Sequence, residues 1–247
     1  MKLEVLFTPA EFAALASRDL RGTACVVFDV LRATSTFVTA LQKGAKEIIP
    51  VAEISEALEI KKARPEILLG GERNGVKISA GGIDFDLGNS PREYAREKIC
   101  GKTIVSTTTN GTRALRACAG AKTVLAAAFL NLGATAQFLR SNNFSDVLLV
   151  CAGTGENAAL EDTLAAGALC EMLAGGFGSG ANTASVETAR RAYAKAKPNL
   201  AGAMRDSENA QRLLANPALR DDVAFCLQRD ICPLIARMDS DGSIQRG

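Results

Sequence analysis

The sequence predicts an α/β fold: a layered α/β/α arrangement around a largely parallel or mixed sheet, built as two intertwined pseudo-repeat halves. Short runs rich in Val, Ile and Leu alternate with stretches of helical period, the signature of strand–helix units feeding a mostly parallel sheet. Most of these runs end in Gly, Ser, Thr, Asp or Asn. One strand–turn–helix–strand unit also has a close echo later in the chain.

The elements follow in order. Leu3–Phe7 reads as a strand, and Thr8–Ser17 as a helix with Thr8 as N-cap, Pro9 at the first helical position and Glu11 in the first turn. Ala24–Phe28, Glu47–Val51 and Ile67–Gly70 are strands separated by the helices Ala33–Gln42 and Ile54–Ala63. Thr103–Ser106, Thr123–Ala127 and Val147–Cys151 are strands separated and followed by the helices Arg113–Ala119, Ala134–Arg140 and Leu160–Ala174. The internal repeat spans about residues 24–92 and 102–175. In each copy a Gly-Ala-Lys, Gly44-Ala45-Lys46 and Gly120-Ala121-Lys122, closes a helix and leads into the next strand. A pseudo-twofold between the copies would set their polar turns face to face. One cleft would then lie where the carboxyl ends of the strands meet, the usual ligand position in open α/β sheets. A helical segment covers about residues 185–235, and no Pro/Ser-rich linker divides the chain. Residues 1–247 therefore read as a single domain.

Composition limits the chemistry. The chain has 247 residues, 47% of them hydrophobic, enough for a substantial core. It has no histidine, which removes Ser-His-Asp and Cys-His catalysis, histidine-ligated metals and histidine as a general base. Carboxylates, hydroxyls, Lys and Arg, backbone amides or a hard metal must serve instead. The 29 basic and 27 acidic residues are interspersed and aromatics make up 5%, so no nucleic-acid partner is expected. Cys25, Cys100, Cys118, Cys151, Cys170, Cys226 and Cys232 form no CxxC and sit mostly in apolar runs, as reduced buried thiols do. An acid inside Met1–Val5 argues against a signal peptide, and the longest apolar stretch, Thr123–Leu139, is interrupted by Asn131, Gly133 and Gln137. A cytoplasmic protein with no membrane partner is expected. The apolar segment Val223–Ile235 could pack on a second subunit, giving a homodimer, or on its own core.

Five segments carry the chemistry. Asp29-Val30-Leu31-Arg32-Ala33-Thr34-Ser35-Thr36 follows a buried strand and opens a helix. Asp29 there suits Mg²⁺ binding or nucleophilic attack, and Arg32 with Thr34, Ser35 and Thr36 at a helix N-terminus suits a phosphate or sulfonate. A haloacid-dehalogenase arrangement needs a second Asp two residues on, where Leu31 stands. Thr107-Thr108-Thr109-Asn110-Gly111-Thr112-Arg113 is the matching turn of the second copy and a second anion cradle, without the Lys of a P-loop. Gly70-Gly71-Glu72-Arg73-Asn74-Gly75 frames a Glu-Arg pair between glycines, and Asp84-Phe85-Asp86-Leu87-Gly88-Asn89-Ser90-Pro91 supplies further loop carboxylates. Such oxygens suit Mg²⁺, which takes one or two carboxylates and keeps several waters. Cys151 lacks the arginine six residues on that a phosphocysteine loop requires, Asn157 standing there, and reads as a buried strand end. Glu161 and Asp162, in the first turn of a helix, either face solvent near the positive end of its dipole or face the cleft as metal ligands.

Taken together, Asp29 to Thr36, Gly71-Glu72-Arg73, Phe85 to Pro91, Thr108 to Thr112 and Ala152-Gly153 with Glu161-Asp162 resemble the 2-phosphosulfolactate phosphatases. The order and spacing agree from about residue 3 to residue 235, and Asp222-Val223-Ala224-Phe225-Cys226 with Asp230 is similar to that family's closing segment. The stretch Gly155 to Leu160 departs from the pattern, where a bulkier aromatic is expected before the Glu-Asp pair. The resemblance implies a single phosphatase domain that cleaves (2R)-2-phospho-3-sulfolactate to 3-sulfolactate and phosphate with Mg²⁺, a step in coenzyme M biosynthesis. In this reading Asp29, Arg32, Glu72 and Arg73 are catalytic. Thr34, Ser35, Thr36, Asn89, Ser90, Thr108, Thr109, Asn110, Gly111, Thr112 and Arg113 bind substrate, and Asp29, Glu72, Asp86, Glu161 and Asp162 are metal ligands. A phosphatase for another small phospho-hydroxy acid and a non-catalytic anion-binding regulator are the alternatives.

Overall fold

A computed structural model describes residues 2–73, 75–174 and 183–247. Asn74 of the glycine-framed loop and Gly175 at the end of the second copy lie outside them. The strands are β1 (Lys2–Leu6), β2 (Thr23–Phe28), β3 (Glu47–Pro50), β4 (Leu68–Arg73), β5 (Val76–Lys77), β6 (Ser79–Ala80), β7 (Ile83–Asp84), β8 (Thr103–Thr107), β9 (Thr123–Ala127), β10 (Asp146–Cys151), β11 (Ala236–Met238) and β12 (Ile244–Arg246). The helices are α1 (Pro9–Ala13), α2 (Ala33–Gln42), α3 (Ile54–Ala63), α4 (Arg96–Ile99), α5 (Gly111–Ala117), α6 (Leu132–Ser141), α7 (Leu160–Leu173), α8 (Ala184–Ala196), α9 (Leu200–Ala203), α10 (Glu208–Leu214) and α11 (Arg220–Cys226).

Ten strands form one mixed sheet in the order β1-β10-β2-β9-β11-β12-β3-β8-β4-β5. The order has an internal symmetry. The first strand of each unit is flanked by the second and third strands of the other, giving β10-β2-β9 on one side and β3-β8-β4 on the other. Pairing is parallel within each triplet. The antiparallel hairpin β11–β12 joins them, pairing antiparallel to β9 and to β3, so the triplets run in opposite senses. The two halves are thus intertwined rather than side by side.

Period-two alternation places the core on both faces. From β2, Ala24, Val26 and Phe28 enter the cluster with Leu132, Leu164 and Leu169 of α6 and α7. Cys25 and Val27 enter the cluster with Phe37 and Leu41 of α2 and Leu115 of α5. All six β2 residues are buried, as expected of a strand covered on both sides. Val223 joins the first cluster and Cys232 and Leu234 the second, so much of Val223–Ile235 packs into the chain's own core. The seven cysteines are free and all but Cys100 are buried.

Helix ends explain some boundaries and correct others. Glu11 accepts the backbone N–H of Thr8 and the Thr8 hydroxyl, but α1 stops at Ala13 and a 3₁₀ turn continues to Ser17. Gly44 closes α2 with a positive φ of 93°, its neighbour Ala45 N–H returning to the Ala40 carbonyl. Gly120 does not play the same part: its φ is not positive, and α5 already ends at Ala117, where Cys118 N–H returns to the Leu115 carbonyl. No helix of the described residues is long and apolar enough to cross a membrane.

Candidate active site

The carboxyl ends of β2, β10, β4 and β8 converge on one cavity of about 450 Å³, closed on another side by α10. That volume suits a small ligand. The two polar turns of the repeat do meet there. A Cβ built on Gly111 would lie 2.7 Å from Asp29 Oδ2 and 2.8 Å from the Ala33 Cβ; only a glycine lets the turns approach so closely.

Asp29 stands where β2 ends. Its Oδ1 accepts the Ala33 N–H at 3.0 Å, and its own N–H donates to Thr34 Oγ1 at 3.0 Å. Burial lifts its carboxyl to about 6; the Ala33 N–H opposes this, while the Glu72 and Glu161 charges add to it. Glu72, 9% exposed, faces the cavity from the end of β4. Gly75 N–H donates to its Oε2 at 2.6 Å, and the Thr109 N–H and hydroxyl donate to its Oε1 at 3.1 and 3.0 Å. Glu72 thereby ties the two halves of the repeat together at the cavity floor.

Arg32, 4% exposed, also lines the cavity. Its Nη1 meets Asp222 Oδ2 at 2.8 Å and its Nη2 donates to the Gly75 carbonyl at 3.3 Å. Asp222, fully buried in α11, uses its other oxygen to accept the Ser90 hydroxyl at 2.7 Å. The C-terminal helices therefore hold the arginine in place.

The other acids divide. Glu161 and Asp162 are buried, at 1% and 2% exposure, not solvated at a helix end. Asp162 accepts Val30 N–H and Gly153 N–H at 2.8 and 3.2 Å, stapling β2 to β10. Burial, reinforced by the Glu161 and Asp29 charges, pushes its carboxyl well above the usual range. Glu161 accepts the Ser207 hydroxyl and the Asn209 amide, both at 2.6 Å. Asp86 is a correction: its Oδ2 accepts Leu69 N–H at 2.8 Å and lies 3.9 Å from Lys61 Nζ, away from the cavity. A loop carboxylate next to a strand finds a backbone donor as readily as a metal.

Several anion-binding expectations are corrected as well. Thr34, Ser35 and Thr36 are fully buried, and their hydroxyls are used inside the fold: Ser35 and Thr36 donate to the Val30 and Asn89 carbonyls, and Thr34 accepts from Asp29. Thr108 and Thr112 bond each other around the first turn of α5. Ser90 serves Asp222. Arg73 turns out of the cavity to donate to the Glu72 and Ala52 carbonyls and to Thr107. Arg113 is half exposed, 4.0 Å from Glu156, and does not line the cavity. The cavity keeps Asn89, Thr109 and Asn110 of that set. Cys151 is fully buried, and burial pushes its thiol well up, which rules it out as a nucleophile.

No group of three or more His, Cys, Asp and Glu side chains placed to hold a metal occurs among the described residues. The oxygen donors facing the cavity still suit a hard cation that keeps its waters. Asp29 and Glu72 line it, as do Asn89 and Asn110, whose buried Oδ1 atoms have no hydrogen-bond partner. Sequence reasoning missed the α10 wall of Glu208, Asn209 and Arg212, with Asn216 just past its end. The signal available was Ser207, whose side chain caps α10 by accepting from Ala210 N–H.

Comparison with known proteins bears on this geometry. The profile of the 2-phosphosulpholactate phosphatase family matches residues 10–241. A probable 2-phosphosulfolactate phosphatase of Caldanaerobacter subterraneus subsp. tengcongensis is 40% identical over 238 residues, covering 94% of this chain and 95% of its own. One from Thermotoga petrophila is 46% identical over 212 residues, covering 83% and 85%. One from Carboxydothermus hydrogenoformans is 37% identical over 252 residues, covering 100% and 95%.

Proposed function

Since the chain belongs to the 2-phosphosulfolactate phosphatase family, we propose that it hydrolyses (2R)-2-phospho-3-sulfolactate to 3-sulfolactate and phosphate with Mg²⁺, in the cytoplasm, as a step toward coenzyme M. The observation that carries this reading is the meeting of Asp29, Glu72 and Arg32 in one small cavity at the strand ends.

Hydrolysis adds water across the P–O ester bond, and negative charge on the phosphoryl oxygens is the main obstacle. Asp222 and the Gly75 carbonyl fix the Arg32 guanidinium, leaving further N–H donors of a rigid fork for those oxygens. Mg²⁺, held by Asp29 and Glu72 with the Asn89 and Asn110 amide oxygens nearby, would neutralise phosphoryl charge and acidify a bound water. Asp29 either orients the attacking water or attacks phosphorus itself; with no histidine in the chain, a carboxylate must take that part. Positioning and charge neutralisation together must supply most of on the order of 20 kcal/mol, because uncatalysed monoester hydrolysis is extremely slow.

A substrate panel tests the reading. Phosphate release from phosphosulfolactate should exceed that from 2-phospholactate and phosphoglycolate by at least about tenfold in kcat/KM, a charged recognition contact being worth that much. Equal turnover of the sulfonate-free compounds would refute the assigned substrate and favour a phosphatase for another phospho-hydroxy acid.

A further inference from the structure

The proposed substrate carries a sulfonate as well as a phosphate and a carboxylate, so the cavity must supply a cation beyond the reacting centre. Arg73 is committed to the Glu72 and Ala52 carbonyls, and Arg113 stands outside the cavity. Arg32 is buried and tied to a buried carboxylate. Arg212 differs from all three. It lines the cavity from α10, its side chain is 57% exposed, and its Nη2 donates to Glu208 one helical turn earlier, an acid that is itself 64% exposed. An exposed i,i+4 pair is a weak tether. Its geometry can be exchanged for another anion without uncovering a buried charge.

The helix carrying Arg212 is itself firmly placed. Asn209, on the same helix, donates to Glu161 and to Thr154, both at 2.6 Å, and Ser207 at the helix cap donates to Glu161. The wall is therefore braced against the buried acids behind Asp29, while the arginine tip stays free to swing. A guanidinium fork matches two oxygens of a sulfonate as it does those of a carboxylate or phosphate.

We propose that Arg212 is the sulfonate-recognising residue of this cavity, paired with Glu208 and transferred to the sulfonate when substrate enters. This rests on the phosphosulfolactate reading above, and the experiment separates the two. Binding of 3-sulfolactate and of lactate is measured by calorimetry on the full chain and on its Arg212→Gln and Arg212→Lys variants, beside phosphate release from phosphosulfolactate. The wild-type chain should prefer 3-sulfolactate. Arg212→Gln should lose about ten- to a hundredfold of that preference, and Arg212→Lys should recover part of it, keeping the charge without the fork. A wild-type preference that survives in Arg212→Gln, or no preference in the wild type, would overturn the assignment whatever the catalytic rate. An Arg212-dependent preference in a chain that releases no phosphate from phosphosulfolactate would uphold the assignment and remove the hydrolysis reading.

Discussion

Asp29 is held in a conflict that its substitution should expose. Its carboxyl is raised to about 6, chiefly by burial and further by the Glu72 and Glu161 charges. Between the ordinary carboxylate range and about 6 the folded chain binds the proton more tightly than the unfolded one, so this residue's contribution to stability falls as pH rises through that window. In metal-free buffer at pH 7 to 8, Asp29→Asn should therefore be more stable than the wild type. The advantage should shrink as pH falls below about 6, read as denaturation midpoints across pH. The same variant should lose at least about a hundredfold in phosphate release, the scale of a lost general base. A destabilised Asp29→Asn at pH 8, or one with undiminished activity, would contradict the role given to this carboxylate. Asp222 offers the complementary case. Asp222→Ala would leave the Arg32 guanidinium buried without its carboxylate partner, and the nearby Arg92, 3.7 Å from Asp222, is a second cation that cannot neutralise it. A loss of about 3–5 kcal/mol is expected, measured by chemical denaturation; a loss below about 1 kcal/mol would mean that Arg32 finds another partner.

At the scale of elements, the cavity depends on two glycines that let backbone segments touch. Gly71, at a φ of 135°, pairs with Thr107, whose carbonyl would sit 2.1 Å from an added Cβ. Gly111 lets the α5 turn reach the Asp29 turn. Gly111→Ala should cost about 1–3 kcal/mol as overpacking, a fall of a few degrees in melting temperature for a chain of this size. Phosphate release should fall more than that stability loss implies, because the substitution pries the turns apart at the cavity itself. Unchanged activity with a lowered melting temperature would show that the contact supports the fold alone. The seven strands and six helices read from the sequence are all present, with shifted ends at several, because each has an apolar period long enough to register. β5, β6, β7, β11 and β12 escaped notice for the opposite reason. They are two or three residues long, too short for any period, and the β11–β12 hairpin gains its place in the sheet by pairing with distant β9 and β3.

The whole molecule explains which parts of the candidate site were legible. Asp29 and Glu72 could be found because they follow apolar runs directly and the strand ends converge. Asp86, Arg73 and the Thr34–Thr36 hydroxyls sit in equally suggestive segments, yet nearby backbone groups claimed their hydrogen bonds, which no linear spacing reveals. Arg212, Asn209 and Asp222 come from helices more than a hundred residues away in sequence from Asp29, Glu72 or Arg32; only the tertiary fold swings that segment over the strand ends. Intertwining of the two halves gives the arrangement its logic, since the first half brings Asp29 and Glu72, and the second the Thr109-Asn110 turn, to one shared cavity. The most direct check is phosphate release from phosphosulfolactate with Mg²⁺ and again with a chelator. Rapid release with Mg²⁺, abolished by the chelator and restored by added Mg²⁺, is the result predicted. No release under either condition would contradict the account and leave an anion-binding protein without turnover.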